Sequence, residues 1–166
     1  EIGKTHAIIH DLVTLPPGTI EGEHMDEDAK KTAVRMIPYG MVVLTSKAKA
    51  GQKIGAATIN WITQTSFSPP LVAVGVKADS TNHHHIRNTG VFAVNILGKD
   101  QLDLAFNFFK THEREGDTIG GQQFEAGKET GCPLLPNSPA WWECRLGGEV
   151  AEGGHTMFVG EVVEAR

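Results

Sequence analysis

The chain has 166 residues and a mass of 17.9 kDa, with 40% hydrophobic and 21% charged residues. This is an ordinary globular composition, and the length fits one domain, so an intrinsically disordered chain is excluded. Twenty acidic against 15 basic residues give a net charge of -5, which argues against nonspecific binding to nucleic acid. The longest apolar runs are too short to cross a bilayer, so we expect a soluble, cytoplasmic protein without a membrane segment.

Short segments rich in valine, isoleucine and threonine, separated by glycines and prolines, predict a β-rich fold. The predicted strands are residues 41–46, 54–67, 71–77, 91–97, 141–151 and 156–165. Three helices interrupt them, one from Asp26 to about Met36, one from Ser80 to Asn88, and one opened by Asp100 with an apolar stripe reaching Phe109. This order predicts a mainly β fold, a closed or split antiparallel barrel of about six or seven strands with two to four short helices.

The segment 141–151 alternates between apolar and charged residues, which predicts a half-buried strand. One side carries Trp142, Cys144, Leu146 and Val150, and the other carries Glu143, Arg145 and Glu149. Cys144 is therefore predicted to be a core residue and not a reactive thiol. The long connection 111–139 is rich in glycine, proline and charge, and we expect it to gate access to a site or to contact a partner subunit.

Two stretches suggest ligand contacts. Residues 55–70 place polar side chains beside an apolar strip of Ile59, Trp61 and Ile62, which suits a flat heteroaromatic ligand, although an ordinary amphipathic strand has the same pattern. In residues 77–86, Lys77 and Ser80 precede a predicted helix whose free amides could bind an anion. The alternative is that Ser80 simply caps the helix.

A metal site is not predicted. The three consecutive histidines, His83 to His85, point about 100° apart from one another if they are helical, so they cannot face one ion. The two cysteines lack the spacing of a zinc site.

Six segments in order resemble the flavin reductase-like family, the FMN-binding split barrels. They are YGMVVLTS (39–46), GAATINWITQTSFSPPLV (55–72), STNHHHI (80–86), NTGVFAVNIL (88–97), WECRL (142–146) and GHTMFVGEVV (154–163). The resemblance covers residues 26–166. Residues 1–25 are predicted to be an N-terminal extension in which 6–13 forms an added strand.

The resemblance implies roles for particular residues. Four side chains would contact the isoalloxazine ring, with two neighbours giving backbone or apolar contacts: Thr58, Asn60, Trp61 and Thr63, and then Ile59 and Ile62. Ser80, Asn82 and His83 would contact the FMN phosphate, with Lys77 nearby. His155 falls on the family histidine that is associated with the nicotinamide substrate. Gly154 stands where the family has Asp, which leaves any role of that carboxylate open.

The implied activity is that of an NAD(P)H:flavin oxidoreductase. Hydride would pass from NADH or NADPH to FMN, or alternatively FAD, and electrons onward to a flavin, a metal or a redox partner protein. The family resemblance also implies a homodimer. Two alternatives are an FMN-binding electron-transfer module that does not itself oxidise NAD(P)H, and a barrel without flavin that serves as an interaction domain.

Overall fold

The structure, a computed structural model, describes residues 25–51 and 53–166, in two units divided between Pro38 and Tyr39. The predicted strand at 6–13 lies outside the described residues. In the first unit, helix α1 spans Glu27–Arg35. The side chain of Asp26 accepts hydrogen bonds from the N–H groups of Asp28 (2.9 Å) and Ala29 (3.1 Å), which confirms the predicted cap.

The second unit is built on an antiparallel sheet of seven strands. In chain order the strands of this unit are β1 (Val42–Lys47), β2 (Ile54–Ile59), β3 (Ile62–Phe67), β4 (Pro70–Lys77), β5 (Val91–Ile96), β6 (Arg114–Glu115), β7 (Thr118–Ile119), β8 (Gln122–Gln123), β9 (Glu125–Ala126), β10 (Pro133–Leu134), β11 (Trp141–Val150) and β12 (His155–Ala165). The large sheet has the order β2-β1-β5-β11-β12-β4-β3 and is not closed, as in a split barrel. The helices of this second unit are α2 (Thr81–Thr89) and α3 (Leu102–Asn107). The mainly β, split-barrel prediction is confirmed.

The predicted strand 54–67 is two strands, interrupted at Asn60 and Trp61. Strands β2 and β3 are consecutive in the chain but stand at opposite ends of the strand order. The two ends of the sheet must therefore lie next to each other, which curls the sheet. A hydrogen bond from the N–H of Gly75 on β4 to the carbonyl of Trp61 (2.8 Å) fixes this corner.

The second and third helices differ in how well the sequence predicts them. Helix α2 has the predicted Ser80 cap and ends at Gly90, whose φ of 70° is readily adopted only by glycine. The third prediction is wrong at both ends. Helix α3 follows Gln101, not Asp100, without a side-chain cap, because the Gln101 side chain accepts the N–H of Gly98 (2.8 Å) instead. It ends at Asn107, before the predicted apolar stripe is complete.

Strand β11 departs from simple alternation because its pairing with β12 shifts register twice, after Glu143 and after Leu146. Cys144 is fully buried as predicted, and burial raises the pKa of its thiol to about 12, which makes it unreactive. Glu143, predicted to face solvent, is fully buried, and Val150, predicted to face the core, is 48% exposed.

The buried carboxylate of Glu143 is satisfied by the turn that follows β9. It accepts hydrogen bonds from the N–H (2.7 Å) and hydroxyl (2.5 Å) of Thr130 and from the N–H of Glu129 (3.2 Å). Charge-assisted bonds of this kind offset the loss of hydration. Glu143 thus anchors part of the 111–139 connection to the barrel.

The 111–139 connection contains the five short strands β6 to β10, in two small sheets. The carbonyl of Pro133 accepts the Thr45 hydroxyl proton (2.6 Å), and the N–H of Leu135 donates to Asn95 Oδ1 (2.8 Å). Ile119 and Leu135 are buried. The connection is therefore packed on the barrel along much of its length. In the described part of the chain, no helix is long and apolar enough to cross a membrane.

Two glycines on the paired strands β11 and β12 test the packing of the core. A Cβ on Gly160 would lie 2.5 Å from the Phe92 ring and 3.0 Å from Cys144 Cβ, whereas a Cβ on Gly147 would have one neighbour at 3.6 Å. We expect Gly160→Ala to lower the free energy of unfolding by about 1–3 kcal/mol through overpacking, and Gly147→Ala to lower it far less. Urea denaturation of both variants measures this, and equal effects would contradict the described packing.

Candidate functional site

A cleft of about 1010 Å³ opens beside β2 and the start of α2. Its walls also include the ends of β4 and β12 and the chain that follows α3. The lining residues are 53–61, 75–77, 79–82, 84, 85, 108–114 and 155. This volume is at the upper end of the range for small-molecule sites, about 300–1,000 Å³.

Helix α2 is held against β1 and β2 by the buried side chain of Asn82. Asn82 Oδ1 accepts the hydroxyl proton of Ser46 (2.5 Å), and its Nδ2 donates to the carbonyl of Leu44 (3.4 Å). A Cβ on Gly55 would overlap Asn82 Oδ1. Because Gly55 has no side chain, Asn82 of α2 can approach β2 closely here. Any other residue at position 55 would require Asn82 or the strand to move. Asn82 lines the cleft while serving this structural role.

The N-terminus of α2 opens on the cleft. Ser80 Oγ accepts the N–H of His83 (3.2 Å) and donates to the carbonyl of Lys77 (2.7 Å). The first intrahelical bond runs from the N–H of His84 to the carbonyl of Ser80 (3.2 Å). The N–H groups of Thr81 and Asn82 thus have no intrahelical acceptor, and both residues line the cleft. The positive end of the helix dipole with free donors is the setting in which proteins bind phosphate.

Lys77 lies at the end of β4, exposed and next to this helix start. It forms an ion pair with Asp79 (3.0 Å), and this hydrogen bond lowers the pKa of the Asp79 carboxyl. In the pairing of β4 with β12, Lys77 stands opposite His155. The cation is therefore within the cleft but already has one carboxylate partner.

At the same end of the cleft, the rings of Trp61 and His155 lie 4.5 Å apart between centroids, with their planes tilted by 54°. Trp61 rests on Gly75, where a Cβ would come within 3.0 Å of the indole. Both rings are exposed, and Asn60 beside them is exposed as well. The pair offers an aromatic surface with a polar edge.

Thr58 and Ile59 complete this wall of the cleft. The hydroxyl of Thr58 donates to the carbonyl of Ala105 (2.7 Å) in α3, and its N–H donates to the carbonyl of Phe108 (3.0 Å). Ile59 is half-buried and packs on the core while lining the cleft. Thr58 thus ties α3 to β2, and its hydroxyl proton is already donated.

Three residues implicated by the resemblance do not line the cleft. Ile62 packs against the core, and Thr63 is exposed on β3. His83 is buried behind α2, where its Nε2 lies 2.8 Å from Thr156 Oγ1 and its ring packs on Phe158 at 5.3 Å. The helical step of about 100° per residue turns His83 inward and leaves His84 at the cleft. The structure brings together the other eight: Thr58, Ile59, Asn60, Trp61, Lys77, Ser80, Asn82 and His155.

His85 is a cleft residue that the sequence interpretation missed. Its Nδ1 lies 3.2 Å from Ser46 Oγ. Because Ser46 gives its one proton to Asn82, Ser46 Oγ accepts from His85 Nδ1–H, and Nε2 of the neutral ring is left as an acceptor. The spacing of three residues from Asn82, which places both on one helix face, could have indicated it.

Within residues 25–51 and 53–166, no group of three or more histidine, cysteine, aspartate or glutamate side chains is placed to hold a metal ion.

Comparison with known proteins agrees with this architecture. A family model described as the flavin reductase like domain matches residues 34–166. The chain belongs to that family. A probable flavin reductase of Rhizobium meliloti is 31% identical over 140 residues, which cover 84% of this chain and 43% of the relative. An NADH-dependent FAD reductase of Streptomyces globisporus is 34% identical over 133 residues, covering 77% of this chain and 69% of the relative.

Solved structures give the same result. The NADH:FAD oxidoreductase SgcE6 of Streptomyces globisporus superposes with a TM-score of 0.73 at 27% identity, covering 87% of this chain and 84% of that one. The flavin reductase PheA2 superposes with a TM-score of 0.71 at 30% identity, covering 86% and 88%. The chain spans 43% and 60% of the length of two Rhizobium meliloti relatives, the probable flavin reductase and the reductase subunit of a stachydrine N-demethylase.

Two histidines of α2 make the stability depend on pH. Burial lowers the pKa of His83, and the charges of Arg87 and His84 lower it further. Burial also lowers the pKa of His85, with additional effects of His84 and Lys53. A histidine whose pKa is lower in the folded chain takes up its proton preferentially in the unfolded chain. The contribution of these two histidines to stability is therefore fully present above the pKa of histidine in the unfolded chain, about 6.5. It is lost as the pH drops through that value towards the pKa in the folded chain.

We expect the free energy of unfolding to fall along a slope as the pH drops below about 6.5, because both histidines take up protons more readily in the unfolded chain. His83→Gln, which retains an amide near Thr156, should make this slope shallower. Urea denaturation of this variant and of the unaltered protein across this pH range measures the slopes, and identical slopes would contradict the assignment.

Proposed function

We propose that this chain binds a flavin in the cleft and transfers hydride to it from NADH or NADPH. The observation that carries the proposal is that one cleft contains both the free N–H groups at the start of α2 and the Trp61–His155 pair. A flavin nucleotide has a phosphate at one end and a flat ring with apolar faces and polar edges at the other. The start of α2 matches the phosphate, and the aromatic pair beside it matches the ring.

The donors in the cleft fit this ligand. The N–H groups of Thr81 and Asn82 supply hydrogen bonds to a phosphate. The Ser80 hydroxyl can join them only by turning away from the carbonyl of Lys77, to which it now donates. Lys77 adds a positive charge near it. Around the aromatic pair, Ile59 and Trp61 supply apolar surface and Asn60 supplies a polar amide. Ile62, Thr63 and His83 would act only through the packing of β3 and α2.

A bound flavin would supply the redox chemistry, accepting hydride from the reduced nicotinamide. The side chains of the cleft position the reactants and exclude water, and none of them needs to act as a strong base. We assign the orientation of the nicotinamide to His155, because its ring is exposed in the cleft and packs against Trp61. Its backbone is fixed where β12 begins, next to the hydrogen bond from Ala78 N–H to the carbonyl of Gly154 (3.1 Å).

FMN is the flavin we propose, because α2 offers one phosphate site directly beside the aromatic pair. A relative from Streptomyces pristinaespiralis, 32% identical over 136 residues, is named an NADH:riboflavin 5'-phosphate oxidoreductase. A relative from Acinetobacter baylyi, 31% identical over 123 residues, is the reductase component of a flavin-dependent monooxygenase. This supports an oxygenase as one destination for the reduced flavin.

A homodimer is part of the proposal. Trp61 and Phe109, which both line the cleft, are 41% and 59% exposed, and Phe106, whose ring lies 5.8 Å from that of Phe109, is 57% exposed. A second subunit over these side chains would remove apolar surface from water and cover the face of the bound ring.

The second candidate function is electron transfer by a bound flavin without oxidation of NAD(P)H. The observation that favours it is Gly154, which stands beside His155 where the family has Asp. A Cβ at this position would meet nothing within 4 Å, so packing does not explain the glycine.

Anaerobic mixing of the FMN-loaded protein with NADH distinguishes these two functions. We expect rapid bleaching of the flavin absorbance. The variant His155→Asn should slow it by about tenfold or more, because a hydrogen bond that orients the nicotinamide contributes about 1.5 kcal/mol. His112→Asn, which lies at the opposite end of the cleft, is the control. Full FMN binding without bleaching by NADH or NADPH would contradict the reductase function and favour the electron carrier.

The phosphate position is tested by Ser80→Ala. Loss of the cap alone would lower the free energy of unfolding by about 1 kcal/mol and leave flavin affinity unchanged. Loss of a charge-assisted contact should in addition lower FMN affinity about tenfold or more relative to riboflavin, which has no phosphate. Thr89→Ala is the control, because its hydroxyl bonds to the carbonyl of His85 (2.8 Å) in the last turn of the same helix. An unchanged ratio of FMN to riboflavin affinity would remove Ser80 from the phosphate site.

A further inference from the structure

Helix α2 and strand β12 are joined by a buried hydrogen bond behind the cleft. The Nε2 atom of His83 lies 2.8 Å from the hydroxyl oxygen of Thr156. Both residues are buried, with 6% and 2% of their surface exposed. The His83 ring also packs on Phe158, with 5.3 Å between the ring centroids. His83 therefore contacts β12 without lining the cleft.

Packing alone does not explain a histidine at position 83. Its Nδ1 atom is buried and has no hydrogen-bond partner among the described residues. A buried polar atom without a partner is unfavourable, and a leucine would fill this position without one. The imidazole supplies something that an apolar side chain cannot, which is the hydrogen bond with Thr156. The histidine is therefore explained by its link to β12 and not by its packing.

The link reaches β12 at its second residue, Thr156, where the strand is held on one side only. The strand begins at His155, after exposed bends. In the described sheet, the pairing of β11 with β12 runs as far as Met157, so the first two residues of β12 pair with β4 alone. The N–H of Ala78 donates to the carbonyl of Gly154 (3.1 Å) just before the strand. Strand ends open more readily than strand interiors, so a buried side-chain anchor has its largest effect there.

The side chains of Thr156 and His155 are neighbours that point to opposite faces of β12. Thr156 points inward to His83, whereas His155 lies at the cleft with its ring 4.5 Å from that of Trp61 between centroids. One peptide bond joins the residue that is anchored to the residue that is exposed. A shift of Thr156 therefore moves the His155 ring with it.

The backbone of His83 also belongs to the start of α2. Its N–H donates to Ser80 Oγ (3.2 Å), and the free N–H groups of Thr81 and Asn82 directly precede it. His83 thus lies between the helix start, where we place the FMN phosphate, and the strand that carries His155.

We propose that His83 is a positioning residue for hydride transfer. It holds the start of β12 against the phosphate-binding helix, and it thereby fixes the direction in which the His155 ring faces the nicotinamide. His83 touches neither ligand, so it is not a catalytic residue. This inference rests on the proposed function, in which His155 orients the nicotinamide, and it joins the phosphate site to that histidine.

Amide hydrogen exchange tests whether the start of β12 depends on this anchor, and it requires neither flavin nor NADH. The amide of Ala78 reports on this strand end, because it donates to the carbonyl of Gly154. The amide of Trp141 donates to the carbonyl of Arg166 (3.0 Å) and reports on the opposite end. We expect His83→Leu to raise the exchange rate of Ala78 relative to Trp141 by about fivefold or more, the factor that one net hydrogen bond contributes.

Three further variants separate the hydrogen bond from packing. Thr156→Val removes the hydroxyl at closely similar shape and should raise the exchange ratio as His83→Leu does. His83→Gln, whose amide can still donate to Thr156, should restore the ratio. Ile86→Val is the matched control, because Ile86 is fully buried on the same helix, and it should weaken the packing of α2 without changing the ratio. An unchanged ratio in either His83→Leu or Thr156→Val would overturn the inference.

Anaerobic bleaching of the FMN-loaded protein by NADH separates positioning from general stability. We expect His83→Leu to slow bleaching at saturating NADH by about fivefold and to leave FMN affinity unchanged. In the His155→Asn background the same substitution should slow bleaching no further, because the residue through which it acts is already absent. The control Ile86→Val should have the same small effect in both backgrounds.

Equal slowing by His83→Leu in both backgrounds would overturn the positioning role and leave the proposed function intact. Failure of NADH and NADPH to bleach the bound flavin of the unaltered protein would contradict the reductase function, and the positioning role would fall with it.

Discussion

The close approach of α2 to β1 and β2 is the contact on which the cleft depends. It is possible because Gly55 has no side chain, so that Asn82 can reach the hydroxyl of Ser46 and the carbonyl of Leu44. These bonds replace the hydration of a buried amide, whose loss would be unfavourable if it were unpaired. These hydrogen bonds hold α2 in place against the sheet. The free N–H groups at the start of α2 and the residues of β2 therefore border the same cleft.

The second constraint is the corner at Asn60 and Trp61, where the chain passes from one end of the sheet order to the other. The carbonyl of Trp61 accepts a hydrogen bond from Gly75 N–H, and the Trp61 ring lies close to both Gly75 and the ring of His155. The corner that curls the barrel is therefore also the aromatic wall of the cleft. Fold and site share the same residues here, so a change at Trp61 is expected to affect both.

The parts of the fold that the sequence predicts well are those determined by local chemistry. Asp26 and Ser80 cap helices, Gly90 ends one, and Cys144 is in the core, because each follows from a few neighbouring residues. Glu143 is different, since its burial depends on Thr130, which lies 13 residues earlier in the chain and supplies the compensating hydrogen bonds. Local alternation could not reveal that partner.

The site shows the same division. The start of α2 is one continuous segment of the chain, and the polar strand before Trp61 is another. Their residues can therefore be proposed as site residues from the sequence. The side chain of His83 turns inward only because α2 packs with that face on Phe158. Lys53, Lys110 and Arg114 also line the cleft, and no sequence pattern marks them, because only the three-dimensional fold brings their separate segments to it. The central claim is that this cleft binds flavin, and the most direct measurement is an amide-resolved NMR titration of the protein with FMN. The account predicts shifts of the amide signals of Thr81, Asn82, Trp61 and His155, with little change around the Glu143 anchor. Binding that shifts only amides outside the cleft, or no binding, would contradict it.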